Sequence, residues 1–305
     1  MSKQISDMRV VATSAIVSCF DIVLNIIVAV VTNSTVMLSQ ALQGLSDLVT
    51  SGVLFLGVKR SKRDADKRFQ FGYGREVFFG VLIAGIIMFI GTGGVSLVLG
   101  YKQAIDPGTI ENTWLALVML VIGFSTNFYS FRLSYLRLKQ RSGKKSVWKH
   151  LANSSIVETK ATFMIDFLGT IAAVFGLVSL ILFVITGNEI FDGIGSMVIG
   201  LSMMVGAGLL IRDVRDLIIG KSVDDETSQA ITKAALSVKY VNDILDLRTM
   251  YLGPERLLVI LEVHIEDDRT TDEIENTTDE IKDVVKRLVP TTEHIQVEVE
   301  TPEAK

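Results

Sequence analysis

The sequence has one cysteine, Cys19, and three histidines in 305 residues. A single thiol excludes a disulfide framework and a cysteine-rich zinc site, so any metal chemistry falls mainly to oxygen ligands. Charge is scarce too: 21% of residues are Asp, Glu, Lys or Arg, 49% are hydrophobic, and the mean hydropathy is +0.43. This excludes a disordered chain and argues against an ordinary soluble enzyme. Enzyme signatures are missing as well. There is no His-Glu-x-x-His, P-loop or Gly-x-Ser-x-Gly, and no Tyr-Asp or Gly-x-Gly-Asp pair of an intramembrane protease surrounds Asp21, Asp47 or Asp166. The chain is not expected to be an enzyme.

The formal net charge of -4 conceals an asymmetry. Residues 1–220 carry 20 Lys and Arg against 14 Asp and Glu, whereas residues 221–305 carry 10 against 20. A hydrophobic, mildly basic domain over 1–220 is therefore expected to precede an acidic domain over 221–305.

Six stretches nearly free of Lys and Arg are long enough to cross about 30 Å of hydrocarbon, which takes about 20 residues at about 1.5 Å each. They cover residues 10–31, 35–58, 77–99, 114–131, 161–185 and 190–211. Residues 1–8 are polar and no small-residue cleavage pattern follows, so the first helix is expected to stay in the protein. Basic residues collect in two loops. Lys59, Arg60, Lys62, Arg63, Lys67, Arg68 and Arg75 follow the second span, and Arg137, Lys139, Arg141, Lys144, Lys145 and Lys149 follow the fourth. Because cytoplasmic loops retain positive charge, the reading is a multi-pass protein of the cell membrane with both termini in the cytoplasm. That topology also accounts for the basic loops without a nucleic-acid partner.

From Asp224 the composition becomes that of a water-soluble α/β module. Asp224, Asp225 and Glu226 suit a helix start. Residues 244–251 and 256–265 read as strands around a Gly253-Pro254 turn, residues 274–288 as an amphipathic helix, and 294–299 as a last strand. The order is αββαβ. A domain of about 80 residues buries only roughly 60% of its unfolded surface, so dimerisation through its sheet or helix face is expected.

A carboxylate in hydrocarbon costs at least about 2.5–3.5 kcal/mol and is by default a functional candidate. Asp21, Asp47 and Asp166 lie well inside spans one, two and five. Asp47 is about 18 Å of helix from Lys59 and Asp166 roughly 25 Å from Lys149, so these two acids reach similar depths. Gln43 precedes Asp47 by four residues and Thr162 precedes Asp166 by four, which puts each pair on one helix face. Two such edges facing each other make a cage of oxygen and amide ligands for a divalent cation bound weakly enough to leave. Asp21 with Asn25, and Asn127, are read as proton, supporting or structural hydrogen-bonding groups, and Asp192 as a helix cap.

Several segments together resemble the cation diffusion facilitator family: Asn33-Ser34-Thr35-Val36-Met37-Leu38-Ser39 leading to Asp47, Phe71-Gly72-Tyr73-Gly74-Arg75-Glu76, and Ile185-Thr186-Gly187-Asn188-Glu189-Ile190-Phe191-Asp192 followed by Gly195-Ser196. The last of these is similar to a zinc-transporter branch. The resemblance implies six membrane helices with a ferredoxin-like cytoplasmic domain, homodimerisation, and export of a divalent metal in exchange for protons by alternating access. It implies no permanently bound cofactor. It also implies a transport site at Gln43, Asp47, Thr162 and Asp166. Family sites carry His where this chain has Gln43 and Thr162, which weakens the case for Zn2+ and strengthens that for Mn2+ or Fe2+. The family's cluster beside the second helix maps onto Asp66, Phe69 and Tyr73, of which only the acid is retained. In the tail, His264 and His294 beside Glu262, Glu266 and Glu298 are weaker candidates. The alternative reading is a transport-poor structural or regulatory member with a degraded metal site.

Overall fold

The computed structural model describes residues 7–142 and 157–302; Lys144, Lys145 and Lys149 of the basic loop lie outside them. The first part is a set of helices: α1 (Asp7–Thr32), α2 (Thr35–Ser61), α3 (Glu76–Ile105), α4 (Thr113–Ser142), α5 (Val157–Thr186) and α6 (Ile190–Ile219). Helices α2 to α6 are each apolar and long enough to cross a membrane, and within α1 the stretch Asp21–Thr32 is apolar as well. Several helices outrun the apolar stretches that announce them. Helix α4 continues past Phe131 through Arg132 to Ser142, and α6 past Ile211 to Ile219. Hydropathy marks where hydrocarbon ends, whereas Arg, Leu and Lys sustain a helix beyond it.

Apolar side chains such as Val23, Ile27, Val30, Val178, Leu201 and Val205 point outward, as lipid allows. Small residues line the inside, where close backbone approach replaces a hydrophobic drive. At the α3–α6 contact, a Cβ on Gly100 would lie 2.5 Å from the Gly193 carbonyl oxygen, and one on Gly200 would lie 2.7 Å from that of Gly93. These glycines recur seven residues apart on both helices. Within α3, Met88–Gly94 is wound as a π-helix. Its buried Thr92 hydroxyl donates to Ser46 Oγ at 2.6 Å and lies 3.2 Å from the Leu42 carbonyl oxygen, both on α2.

The tail belongs to a second compact unit that also contains residues 58–78. It comprises α7 (Asp225–Leu236), β1 (Val241–Gly253), β2 (Arg256–Ile265), α8 (Thr271–Leu288) and β3 (Thr292–Val299), which is the expected αββαβ order of an α+β, ferredoxin-like domain. Strand β2 is central, antiparallel to β1 and parallel to β3. Its Leu257, Val259, Leu261, Val263 and Ile265 alternate into a core with Ile231 and Ala235 of α7 and Ile281 and Val285 of α8. Asp224 caps α7 by accepting from the Thr227 N–H at 2.8 Å. Thr270 and Glu273 form a reciprocal capping box on α8, which satisfies donors that a helix start otherwise leaves open. Strand β1 starts at Val241 rather than near 244. Its first residues, Val241-Asn242-Asp243, lack alternation because the pairing shifts register there.

In the same unit, the loop after α2 lies on the β1–β2 turn. A Cβ on Gly74 would sit 2.4 Å from the Leu252 carbonyl oxygen, so only glycine permits this approach. The Phe71 ring meets His294 edge-on at 5.4 Å.

Candidate functional site

Helix α2 starts at an N-cap serine, Ser34, whose Oγ accepts from the Met37 N–H at 3.3 Å. From there one face of α2 is both buried and polar: Ser39, Gln40, Gln43, Ser46 and Thr50, with Asp47 half-buried beside them. The spacing of three and four residues keeps them in one stripe. Gln40 Nε2, Gln43 Oε1 and Thr50 Oγ1 on this stripe are buried without a hydrogen-bond partner. An unmatched buried polar atom costs about 1–3 kcal/mol, a cost that a polar occupant of the bundle would remove.

The stripe leads to two carboxylates from different helices. Asp47 stands one turn along α2 from Gln43, and Asp166 lies on α5, near enough for the two charges to interact. Asp166 is half-buried, and its Oδ2 accepts from the Ser134 hydroxyl of α4. One turn after Asp166, α5 has Gly169. A Cβ there would lie 2.7 Å from both Asn127 Oδ1 of α4 and Gln43 Nε2 of α2, so three helices converge where glycine leaves room. The Asn127 Nδ2 donates to the Gly123 carbonyl of its own helix at 2.9 Å, which turns its oxygen toward that point.

Of the four site residues expected from the sequence, Asp47, Asp166 and Gln43 are thus brought together. Thr162 differs from its counterpart Gln43, for it is exposed while Gln43 is 3% exposed. One neighbour of the site and one buried ion pair escaped the sequence reading. Ser134 lies beyond the apolar run that ended the fourth span at 131, although it stands two turns from Asn127 on one face. Lys160, two residues before Thr162, is buried and donates to Asp213 of α6 at 2.9 Å.

The other polar groups have structural partners. Asn25 Nδ2 donates to Asp21 Oδ2 at 3.2 Å within α1. Asp192 is a cap, but of α2 rather than of its own helix: it accepts from the Thr35 N–H at 2.6 Å, the Thr35 hydroxyl at 2.7 Å and the Val36 N–H at 3.3 Å. Asp66 accepts from the Tyr73 hydroxyl at 2.6 Å and from the Arg68 and Phe69 N–H groups at 2.8 Å each. These bonds, led by that of Tyr73, hold its carboxyl below the usual range.

In the tail, Glu262 pairs with Arg248 at 3.3 Å, Glu266 with Arg269, and Glu298 accepts from Gln296 at 2.6 Å. His294 is in register with Leu258, six residues from His264 along β2 and hence about 20 Å away. Among the described residues no three His, Cys, Asp or Glu side chains are grouped to hold a metal ion. In the helical unit the two carboxylates are accompanied by the Gln43 amide and the Ser134 hydroxyl.

Comparison with known proteins agrees with this arrangement. Residues 11–219 match the cation efflux transmembrane domain, and residues 223–302 match the cytoplasmic domain of cation efflux proteins. The human protein named proton-coupled zinc antiporter SLC30A9, mitochondrial, is 25% identical over 224 residues, covering 73% of this chain. This chain covers 39% of that protein, less than half its length. Magnetosome protein MamB of Paramagnetospirillum magneticum is 27% identical over 232 residues, covering 75% of this chain and 72% of MamB. Among solved structures, a nickel form of a MamM C-terminal domain variant is 19% identical and covers 26% of this chain and 100% of its own, with a TM-score of 0.25.

Proposed function

Since the chain belongs to the cation efflux family, its transmembrane domain matching over residues 11–219, we propose that it is a divalent metal cation transporter whose site comprises Asp47, Asp166, Gln43 and Thr162. The observation that carries this reading is the pairing of Asp47 and Asp166. Two acids on separate helices lie near enough for their charges to interact, with the Gln43 amide one turn before Asp47 and the Ser134 hydroxyl on Asp166. Two like charges held together inside a bundle are costly unless a cation or protons neutralise them. A divalent cation neutralises both at once.

Cation and protons compete for the same carboxylates, because a carboxylate must be deprotonated to act as a ligand. Alternating access then gives antiport: metal binds from the cytoplasm through Asp47 and Asp166, leaves on the far side, and protons take its place on the return. Residues 1–220 form the transport domain and residues 221–305 a cytoplasmic domain through which two copies pair. The working orientation places both termini in the cytoplasm and the protein in the cell membrane.

The test is uptake of Zn2+, Mn2+, Fe2+, Co2+ and Cd2+ into proteoliposomes with internal pH monitored. Asp47→Ala and Asp166→Ala are each expected to abolish metal uptake and the coupled proton flux. Wild-type flux in either variant would overturn the site. A wild-type protein that moves none of these metals would support the transport-poor reading instead.

A further inference from the structure

Resting on that transport reading, we infer that α4 supplies a third side of the site, with Ser134 as a cation ligand, and that the completed all-oxygen site takes hard divalent cations, Mn2+ ahead of Cd2+. Three observations converge here. The Ser134 hydroxyl already touches the Asp166 carboxylate, so a cation on that carboxylate arrives within reach of the serine oxygen. A hydroxyl has one proton and two lone pairs. While it donates to Asp166 its proton occupies the carboxylate, and on cation arrival the O–H rotates and turns a lone pair to the ion.

Gln43 Oε1 provides the second observation. It is buried, lacks any hydrogen-bond partner and belongs to the residue one turn before Asp47 on α2, which makes it an oxygen that a cation would satisfy. The third is the close approach at Gly169, where Asn127 Oδ1 and Gln43 Nε2 both lie 2.7 Å from the missing Cβ. Helix α4 therefore reaches the same space as the Gln43 amide, which places it on a third side of the site.

Ser134 thus adds a hydroxyl to the two carboxylates, the Gln43 amide oxygen and the Thr162 hydroxyl of the proposed site, with no imidazole or thiolate among them. Such a set suits a hard ion that accepts six or so oxygens, and it gives little advantage to the soft Cd2+.

The decisive variant exchanges the hard oxygen of Ser134 for soft sulfur. In reconstituted protein carrying Cys19→Ser, the wild-type Ser134 is expected to favour Mn2+ uptake over Cd2+, and Ser134→Cys to raise the Cd2+ to Mn2+ ratio by about tenfold. Ser134→Ala should weaken apparent Mn2+ affinity by about tenfold, the usual scale for a site-supporting group, while Ser134→Thr retains it. Ser125→Cys, on an exposed face of the same helix, should leave the ratio unchanged. A readout independent of turnover is maleimide alkylation of the Ser134→Cys variant, which Cd2+ should slow. An unchanged ratio together with alkylation indifferent to Cd2+ would overturn the α4 assignment while leaving the Asp47 and Asp166 site standing. Loss of the transport reading would show itself separately, as a wild-type protein that moves neither metal.

Discussion

Asp192 of α6 accepts both the backbone N–H and the hydroxyl of Thr35, at 2.6 and 2.7 Å, and so caps a helix 157 residues earlier in the chain. The carboxylate is fully buried. It satisfies the first turn of α2 and locks that helix to α6. Asp192→Ala removes a cap and strands buried donors, so it should cost about 3 kcal/mol. Thermal unfolding of the detergent-solubilised protein would register this as a lowered midpoint, and an unchanged midpoint would contradict the cap.

Glycine substitutions should separate packing from site effects. Gly100→Ala places a Cβ 2.5 Å from the Gly193 carbonyl oxygen and 2.6 Å from the Met197 nitrogen. Both are backbone atoms that cannot step aside, and a loss of about 1–3 kcal/mol or more is expected. Gly208→Ala meets nothing within 4 Å and should stabilise α6 by up to about 1 kcal/mol. Gly169→Ala pushes on the side chains of Asn127 and Gln43, so metal uptake should fall while the unfolding midpoint moves little. Uptake and melting curves measured on the same preparations distinguish the three.

The Asp66–Tyr73 bond defines a pH window for the loop after α2. Asp66 is lowered from 3.8, chiefly by the Tyr73 hydroxyl, so its contribution is present above the unfolded value and lost as pH falls through the lowered one. Tyr73 is raised from 10.0, chiefly by its hydrogen bond to Asp66, so its contribution is present below that value and lost as pH rises through the raised one. Between these limits the loop should resist proteolysis. Tyr73→Phe should narrow the window from the acid side, and digestion profiles that coincide with wild type across the acid range would refute the pairing.

Much of this was legible before any coordinates. Six apolar runs announced the helices, and the alternation from Leu257 to Ile265 announced β2 to the residue. The two acids and Gln43 stood out because charge and amide in hydrocarbon demand an explanation. What stayed hidden depends on contacts between helices. Ser134 lies past Arg132, where hydropathy stops speaking although the helix continues. Asp192 was readable as a cap from its place at a helix start, but its allegiance to α2 arises only when α6 packs there. No periodicity signals that Gly169 makes room for two amides from other helices.

The π turns of Met88–Gly94 set the phase of α3. An α-helix advances about 100° per residue, and a π segment takes up one residue more than the α-helical winding it replaces. Rewinding this segment as α-helix would turn everything beyond Gly94 by about 100° relative to Val81 and Ala84, which are buried in the same unit. Gly100 would then leave Gly193, and the two ends of α3 would no longer face their neighbours together. The segment therefore acts as a fixed angular offset, and a local change of winding there would rotate the second half of the helix like a key.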